Sequence, residues 1–163
     1  MNSSKTRSLA VSGLVIAADV VLTRLLAVNT PIMKISLGFF AVAVCAALYG
    51  PAHAAICAAL SDLLGSLLFP VGAYFPGFTV TAAITGLIFG FFLRNYSKRR
   101  AVLAAAVNSV LVSYLANTGM LSFLTGSPYP QLLGTRAIQL AVMLPLQIAM
   151  LVFALPPVLR RLR

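Results

Sequence analysis

Acidic residues are nearly absent from this sequence, which has only two Asp or Glu among 163 residues, against 12 Lys and Arg. Charged residues of either sign make up 9% of the chain and apolar residues 61%. So little charge excludes a water-soluble globular domain. No GxxxxGK[ST] loop is present to hold nucleotide phosphates, and two acids scarcely suffice for metal-dependent phosphoryl transfer. Any work against a gradient must therefore be powered by another protein.

Cysteine is equally scarce. Cys45 and Cys57 lie in apolar stretches without CxxC spacing, so we interpret them as small buried residues rather than as a disulfide or a metal site. A net charge of +10 would suggest nucleic acid as a partner for a soluble protein. In a membrane protein the distribution of the same positive charge instead indicates which side of the membrane each connection faces, and no nucleic-acid partner is expected.

The apolar runs predict an all-α integral membrane protein that forms a single domain over residues 1–163. A spanning helix needs about 20 residues, so this length suits six spans with short connections. The predicted helices lie near 8–27, 36–49, 52–69, 78–94, 101–123 and 135–158. Helices 2 and 3 meet at Gly50-Pro51, which predicts a tight turn because proline is tolerated only in the first turn of a helix. The first run lacks a small-residue cleavage site and predicts a retained helix rather than a signal peptide.

The distribution of cations predicts that both termini are cytoplasmic. This orientation leaves only Arg24, Lys34 and Arg136 outside or in the outer half. The nine cations inside would be Lys5, Arg7, Arg94, Lys98, Arg99, Arg100, Arg160, Arg161 and Arg163. The external connections are then 28–35, 70–77 and 124–134. The connection 70–77 is uncharged and rich in proline, glycine and aromatic residues, which fits an ordered lid or, alternatively, a membrane-interface turn.

Ionisable groups at membrane depth are costly and are functional candidates by default. Asp19 and Asp62 both fall near mid-depth, where they could share a cavity or pair with Arg24. A local pair between Asp19 and Arg24 is disfavoured, because residues five apart in a helix do not share a face. For Asp62 ligand recognition is the favoured role, and for Asp19 a structural hydrogen bond or ion pair is favoured. His53 is interpreted as an interfacial residue rather than a proton carrier.

Two polar stripes are predicted on the last two helices. Ser109, Ser113 and Asn117 recur at intervals of four, with Tyr114 beside them. The second stripe consists of Arg136, Gln139, Met143 and Gln147. In lipid such stripes face the bundle interior, where they either line a ligand cavity or hydrogen-bond between helices. Asn117, Arg136 and Gln139 are the stronger ligand candidates because they lie toward the outer end.

Small residues form two further stripes. Ala10, Gly13 and Ala17 share one face of helix 1, and Gly86 and Gly90 form a GxxxG in helix 4. Such stripes let another helix approach closely. The partner is either a second protein or a neighbouring helix of the same bundle.

Several short segments of the sequence form recognisable motifs. The most specific is Phe69-Pro-Val-Gly-Ala-Tyr-Phe-Pro-Gly-Phe78. Weaker ones are Leu22-Thr-Arg-Leu25, Thr30-Pro31-Ile32, Tyr49-Gly-Pro51, Ala59-Leu-Ser-Asp-Leu-Leu-Gly65, Arg136-Ala-Ile and Met143-Leu-Pro-Leu-Gln147. Together these segments resemble the folate-type substrate-binding (S) component of energy-coupling factor transporters, and the resemblance extends over nearly the whole chain.

This resemblance implies a multi-pass protein of a prokaryotic plasma membrane that binds a vitamin from outside and is not an enzyme. It implies gating loops after helices 1 and 3, with Pro70, Gly72, Ala73 and Gly77 in the second. It also implies that Ala10, Gly13 and Ala17 contact a transmembrane coupling subunit, which two ATPases would energise. For Arg24 to reach a ligand, helix 1 must bend or end near Val21, because Arg24 otherwise returns to the face of Ala17.

Folate, as a transported ligand rather than a cofactor, fits these residues chemically. Its pterin ring offers an amino group and a ring N–H that the Asp62 carboxylate can accept together. Tyr74 and Phe75 are suited to cover its flat rings. Its glutamate tail carries two carboxylates, for which Arg24, Lys34 and Arg136 are the outer cations, and Asn117 and Gln139 complete the predicted substrate site.

Three alternatives stay open at this point. The ligand could be another vitamin or precursor, such as riboflavin, thiamine or a queuosine precursor. The chain could also be a structural helical bundle whose polar stripes only pack. An intramembrane enzyme is disfavoured, because the sequence shows no nucleophile–base pair or metal cluster.

Overall fold

The computed structural model describes residues 3–29, 34–70 and 74–162. Within these ranges the fold is helical apart from one pair of two-residue strands. The helices are α1 Ser3–Val20, α2 Gly38–Tyr49, α3 Pro51–Leu68, α4 Pro76–Leu93, α5 Lys98–Val107, α6 Asn117–Thr125, α7 Tyr129–Ala149 and α8 Leu155–Leu162. Strands β1 Val28–Asn29 and β2 Lys34–Ile35 pair antiparallel, with Val28 opposite Ile35.

Three π-helical segments interrupt this pattern. Val21–Leu25 extends α1, Asn108–Ala116 joins α5 to α6, and Met150–Ala154 joins α7 to α8. The last four helices therefore form two continuous helical stretches, 98–125 and 129–162. π-Helical turns are rare and concentrate at functional sites, because the wider turn changes which residues share a face.

Five helical stretches are long and apolar enough to cross a membrane, by length and composition. They are Ser8–Leu25, Pro51–Leu68, Pro76–Leu93, Lys98–Thr125 and Tyr129–Arg161. The remaining predicted span, the second one near 36–49, corresponds to α2, which has only 12 residues. It is the most enclosed helix, with nine of those residues buried. A helix that is apolar on all sides belongs in a protein interior, and α2 lies among α1, α3 and α4.

The predicted turn between helices 2 and 3 is confirmed. Tyr49 ends α2, Gly50 has a φ of 88°, and Pro51 begins α3. Only glycine adopts this φ without strain, and proline needs no helical hydrogen-bond acceptor in the first turn. The hairpin thus brings α2 and α3 together.

Several predicted boundaries were wrong by a few residues. The first helix begins at residue 3 rather than 8, and the second at 38 rather than 36. The last two begin at 98 and 129 rather than 101 and 135, since charged and polar residues that lower hydropathy still form good helix starts. Pro76 already begins α4, so the connection predicted at 70–77 is shorter than expected.

The apolar core fills one end of the bundle. It is built from α2, the last turns of α4, the first turns of α5, and α8, with Phe89, Leu93, Leu151 and Leu155 fully buried. The opposite half of the bundle encloses a large cavity instead. This division places the packed core at the end of the 94–97 connection and the cavity toward the 70–77 connection.

Candidate functional site

A cavity of about 710 Å³ occupies the half of the bundle opposite the core. Its volume lies within the range of about 300–1,000 Å³ that is usual for small-molecule sites. All seven residues predicted to bind substrate line it: Arg24, Asp62, Tyr74, Phe75, Asn117, Arg136 and Gln139. The fold thus brings together around one cavity residues that the sequence separates by more than 100 positions.

Arg24 reaches the cavity because helix 1 changes its winding. The π-helical segment begins at Val21, and the Arg24 side chain is only 10% exposed, whereas Ala17 lies on the exposed face. Helix 1 was predicted to bend or end near Val21, and its α-helical part ends at Val20. A Cβ at Gly65 would lie 2.9 Å from the Arg24 Nε atom, so a small residue in α3 leaves room for the guanidinium.

Arg24 and Asp62 form an ion pair, with 3.5 Å between Nη2 and Oδ1. Arg24 also donates to the Ser66 hydroxyl at 3.0 Å. Thr79 donates to Asp62 Oδ2 at 2.9 Å and shares a 2.9 Å hydrogen bond with the Tyr74 hydroxyl. The pair therefore sits in a polar network that links α3 to the start of α4.

This ion pair is one of the alternatives that the sequence left open for the two acids. It brings Arg24, predicted to bind the glutamate tail, next to Asp62, predicted to bind the pterin ring. Which part of a ligand each of the two side chains binds stays a prediction.

Asp19 has a different environment. Its carboxylate accepts a hydrogen bond from Ser61 of α3, and the side chain is buried. Its backbone carbonyl accepts from the Thr23 hydroxyl at 2.7 Å, and a Cβ at Gly38 would overlap both Asp19 and Thr23. Asp19 therefore fixes the approach of α1 to α2 and α3 at the cavity wall, as a structural role predicts.

Aromatic side chains surround the 70–77 end of the cavity. Phe75 contacts Phe78 edge-on at 6.1 Å between ring centroids and lies 6.2 Å from Phe123 of α6. Tyr74 is 46% exposed. These rings form a rim with one side open to the surroundings.

The four residues predicted as a gate fall in three places. Pro70 is exposed and lines the cavity. Gly72 and Ala73 lie outside the described residues. Gly77 was placed in a loop but belongs to the first turn of α4, where a Cβ would overlap the Phe75 ring and approach the Met120 sulfur.

The two predicted polar stripes form the opposite wall, and both line the cavity. They also bond to other helices. Ser109 donates to the Gln147 side chain at 2.7 Å, and Thr81 of α4 donates to Asn117 at 2.8 Å. The alternatives of lining a cavity and joining helices are thus both realised.

Arg136 is a half-buried cation with a weak partner. Its Nη1 donates to Thr118 at 3.4 Å, while its Nε is buried without a hydrogen-bond partner among the described residues. No acidic side chain among the described residues is paired with Arg136. A guanidinium with unused donors at a cavity wall is suited to a carboxylate that arrives with a ligand.

Asn108 was missed by the sequence analysis. It begins the π-helical segment, is 3% exposed, lines the cavity and has a buried Oδ1 without a partner in the described ranges. The sequence signal that could have identified Asn108 is its position directly before Ser109, the first residue of the predicted polar stripe. Adjacent side chains 100° apart can both line so wide a cavity, as Thr81 and Ala82 of α4 also do.

The small-residue stripes separate into an outer and an inner one. Ala10, Gly13 and Ala17 are exposed, and a Cβ at Gly13 would meet nothing within 4 Å. Gly86 and Gly90 are buried, and a Cβ on either would overlap the backbone of α3. The GxxxG of α4 thus serves internal packing, whereas the helix 1 stripe is open to a partner.

Cys45 and Cys57 are buried and carry free thiols, as predicted. His53 lies nearby, bonded to the Ser12 hydroxyl at 2.7 Å and tilted against the Tyr49 ring. These contacts join α1 to the α2–α3 hairpin. No group of three metal-binding side chains occurs among the residues that the structure describes.

The fold and the cavity have clear counterparts. A family described as "ECF-type riboflavin transporter, S component" matches residues 3–156. The chain therefore belongs to the S components of energy-coupling factor (ECF) transporters, a family of membrane transport proteins and not of enzymes.

Named relatives in this family are folate transporters. "Folate transporter FolT" of Clostridium novyi (strain NT) is 42% identical over 133 residues, which are 80% of this chain and 77% of the relative. FolT of Leuconostoc mesenteroides subsp. mesenteroides is 30% identical over 159 residues, 92% of this chain and 85% of the relative. A solved structure, "Crystal structure of FolT bound with folic acid", superposes with a TM-score of 0.88 at 31% identity and covers 94% of this chain and 97% of its own.

Proposed function

We propose that this chain is the folate-binding S component of an ECF importer and that the whole chain forms one substrate-binding bundle. The observation that carries the proposal is the cavity of about 710 Å³ in which an acid, aromatic rings and an arginine without an acidic partner converge. The likeness to a structure of FolT bound with folic acid supports it. The protein acts by binding and release, without catalysis and without a resident cofactor.

Each part of folate has a chemical counterpart in the cavity. Asp62 accepts the pterin amino group and ring N–H, with Arg24 holding the carboxylate in place. Tyr74 and Phe75 cover the flat rings at the rim. Arg136 binds the glutamate carboxylates, and Asn117 and Gln139 contribute amide hydrogen bonds along the same wall.

Riboflavin is the second candidate, because the matching family is described by that vitamin. Its flavin ring would suit the aromatic rim, but riboflavin is uncharged. A neutral ligand would leave Arg136 buried without a counter-charge, which is costly. The cavity therefore favours a ligand with carboxylates.

Mass spectrometry of small molecules released from the purified, denatured protein tests this assignment directly. The expected result is a folate. Calorimetry should then give tight binding of folate and no measurable binding of riboflavin. Recovery of riboflavin, or the absence of stabilisation by any folate, would exclude the proposal.

Transport requires a partner, and the exposed stripe of helix 1 is the proposed contact. We place six passes in the plasma membrane of a prokaryote with both termini in the cytoplasm, where a coupling subunit and two ATPases would act. Gly13 leaves open space at the surface, so a partner helix can approach closely there. Folding reporters fused to each terminus should report a cytoplasmic location for both.

Replacing Gly13 and Ala17 by Leu together tests the docking face. We expect folate affinity to persist while uptake and copurification with the coupling subunit are lost. Ala137→Leu with Ala141→Leu is the matched control, because these alanines are also exposed and four apart, but on α7. Equal uptake by the two double variants would show that the partner docks elsewhere.

A further inference from the structure

Basic side chains gather without acidic partners at the end of the bundle that contains the apolar core. Both acids of the chain, Asp19 and Asp62, line the large cavity in the other half. The exposed cations at the core end are Arg94, Lys98, Arg99, Arg100, Arg160 and Arg161. No carboxylate side chain of this protein can neutralise them, so their counter-charge must come from another molecule.

Two of these cations face a common cleft. A second cavity of about 520 Å³ lies between the 94–97 connection and α8. Its lining contains Arg94 and Asn95 from one side and Arg160 from the other, with Pro156 and Leu159 as apolar surface. Lys98, Arg99, Arg100 and Arg161 do not line it.

The cleft is held open by an unusual hydrogen bond. Pro156 has no N–H, so the carbonyls of Leu151 and Val152 lose the donor that a helix would supply four or five residues later. Tyr96 replaces it: its hydroxyl donates to Leu151 O at 3.0 Å and lies 3.3 Å from Val152 O. Burial raises the pKa of the Tyr96 phenol, so it stays protonated and able to donate.

This bond fixes the 94–97 connection against the helix that bears Arg160. Leu159, on the same turn as Arg160, is 5% exposed and packs in the core. Both walls are therefore anchored in rigid structure. Two arginines borne on anchored backbone beside an amide suit a phosphate, because arginine donates to phosphate oxygens in a planar fork.

We propose that this cleft binds the phosphate headgroup of an anionic phospholipid from the adjacent leaflet. Arg94 and Arg160 bind the phosphate, Asn95 donates to a headgroup oxygen, and Pro156 and Leu159 contact the start of the acyl chains. A lipid is the favoured source of phosphate because the cleft lies at the polar end of membrane-crossing helices, at headgroup depth. The proposal uses the membrane placement given above but does not depend on which vitamin the large cavity binds.

Native mass spectrometry of the purified protein tests the site after reconstitution with equal amounts of phosphatidylglycerol and phosphatidylcholine. The wild type should retain one phosphatidylglycerol in preference to phosphatidylcholine. Arg94→Gln with Arg160→Gln should weaken its retention by about 30-fold, since each cation near a membrane surface contributes about fivefold. A wild type without this preference would overturn the proposal.

Lys98→Gln with Arg99→Gln is the matched control, because it removes the same charge from the same end but outside the cleft. We expect it to keep the lipid. Equal loss in both double variants would show general attraction to the basic end instead of a site. Displacement of the lipid by millimolar inorganic phosphate, with phosphate retained in its place, would overturn the lipid as the source.

Folate affinity should be unchanged in both double variants, which shows that they are folded. If the glutamine variant does not fold, Arg94→Lys with Arg160→Lys serves in its place, with weaker retention expected because lysine lacks the planar fork. Retention equal to wild type in that variant would contradict the proposed phosphate geometry. Loss of folate binding by the wild type itself would count against the proposed function and not against this site.

Discussion

Replacing Arg136 with glutamine should weaken folate binding and leave the ligand-free protein as stable as before or more so. The side chain is half-buried, its buried Nε has no partner among the described residues, and its one hydrogen bond to Thr118 is long at 3.4 Å. Removing such a cation relieves a desolvation cost. If the arginine instead held the fold together, its loss would lower the melting temperature.

The size of the binding effect follows from the bond that is lost. Hydrogen bonds to charged groups contribute about 1.5–3 kcal/mol, which corresponds to about 10- to 150-fold in affinity. Folate at about 100 times its dissociation constant stabilises a protein by about 2.7 kcal/mol, but only by about 0.4 kcal/mol after a 100-fold loss of affinity. The folate-induced rise in melting temperature should therefore nearly disappear.

Pteroate, which lacks the glutamate tail, separates the ligand role from a general one. Calorimetry should show a large loss of affinity for folate and little change for pteroate. An equal loss for both ligands would refute the assignment of Arg136 to the tail. A lower melting temperature without ligand would refute the argument from its unused donors.

The remaining predictions concern the pterin end, the rim and the packing of α4. Asp62→Asn should lower the affinity for folate and for pteroate equally, by about 10- to 150-fold, as measured by calorimetry. A loss of affinity for folate alone would place the Asp62 carboxylate near the glutamate tail. Replacing Tyr74 and Phe75 by Ala should raise the dissociation rate more than it lowers the association rate in stopped-flow experiments, and the reverse pattern would leave the rim as an interface anchor. Gly90→Leu should lower the melting temperature strongly because α3 backbone lies against it, whereas Gly13→Leu should not; equal effects would contradict the packing.

The helices and much of the cavity wall could be predicted from the sequence because hydropathy and spacing act locally. The apolar runs, the turn at Gly50 and the bend near Val21 all follow from neighbouring residues. The polar stripe containing Ser109 and Asn117 also reached the cavity as expected. In lipid there is little else that polar side chains can face.

Contacts between distant residues could not be predicted. The ion pair of Arg24 with Asp62 depends on how α1 leans against α3, which Gly65 permits. The bond from Tyr96 to carbonyls beyond residue 150 joins segments 55 positions apart. Hydropathy contains no information about such pairs, because each partner has the hydropathy of an ordinary polar residue in its own segment.

The π-helical segments take part both in the cavity wall and in the contacts between distant residues. One such segment turns Arg24 away from the lipid-facing stripe of helix 1, and another brings both Asn108 and Ser109 to the cavity. A π-turn gives up regular hydrogen bonding, so it persists where the rest of the structure compensates for it. At the third segment the compensation is visible, since the Tyr96 hydroxyl takes the place of the missing Pro156 N–H. At the cavity Arg24 and Ser109 of the other two segments bond to neighbouring helices, whereas the buried Asn108 Oδ1 has no partner in the described ranges and is available to a ligand.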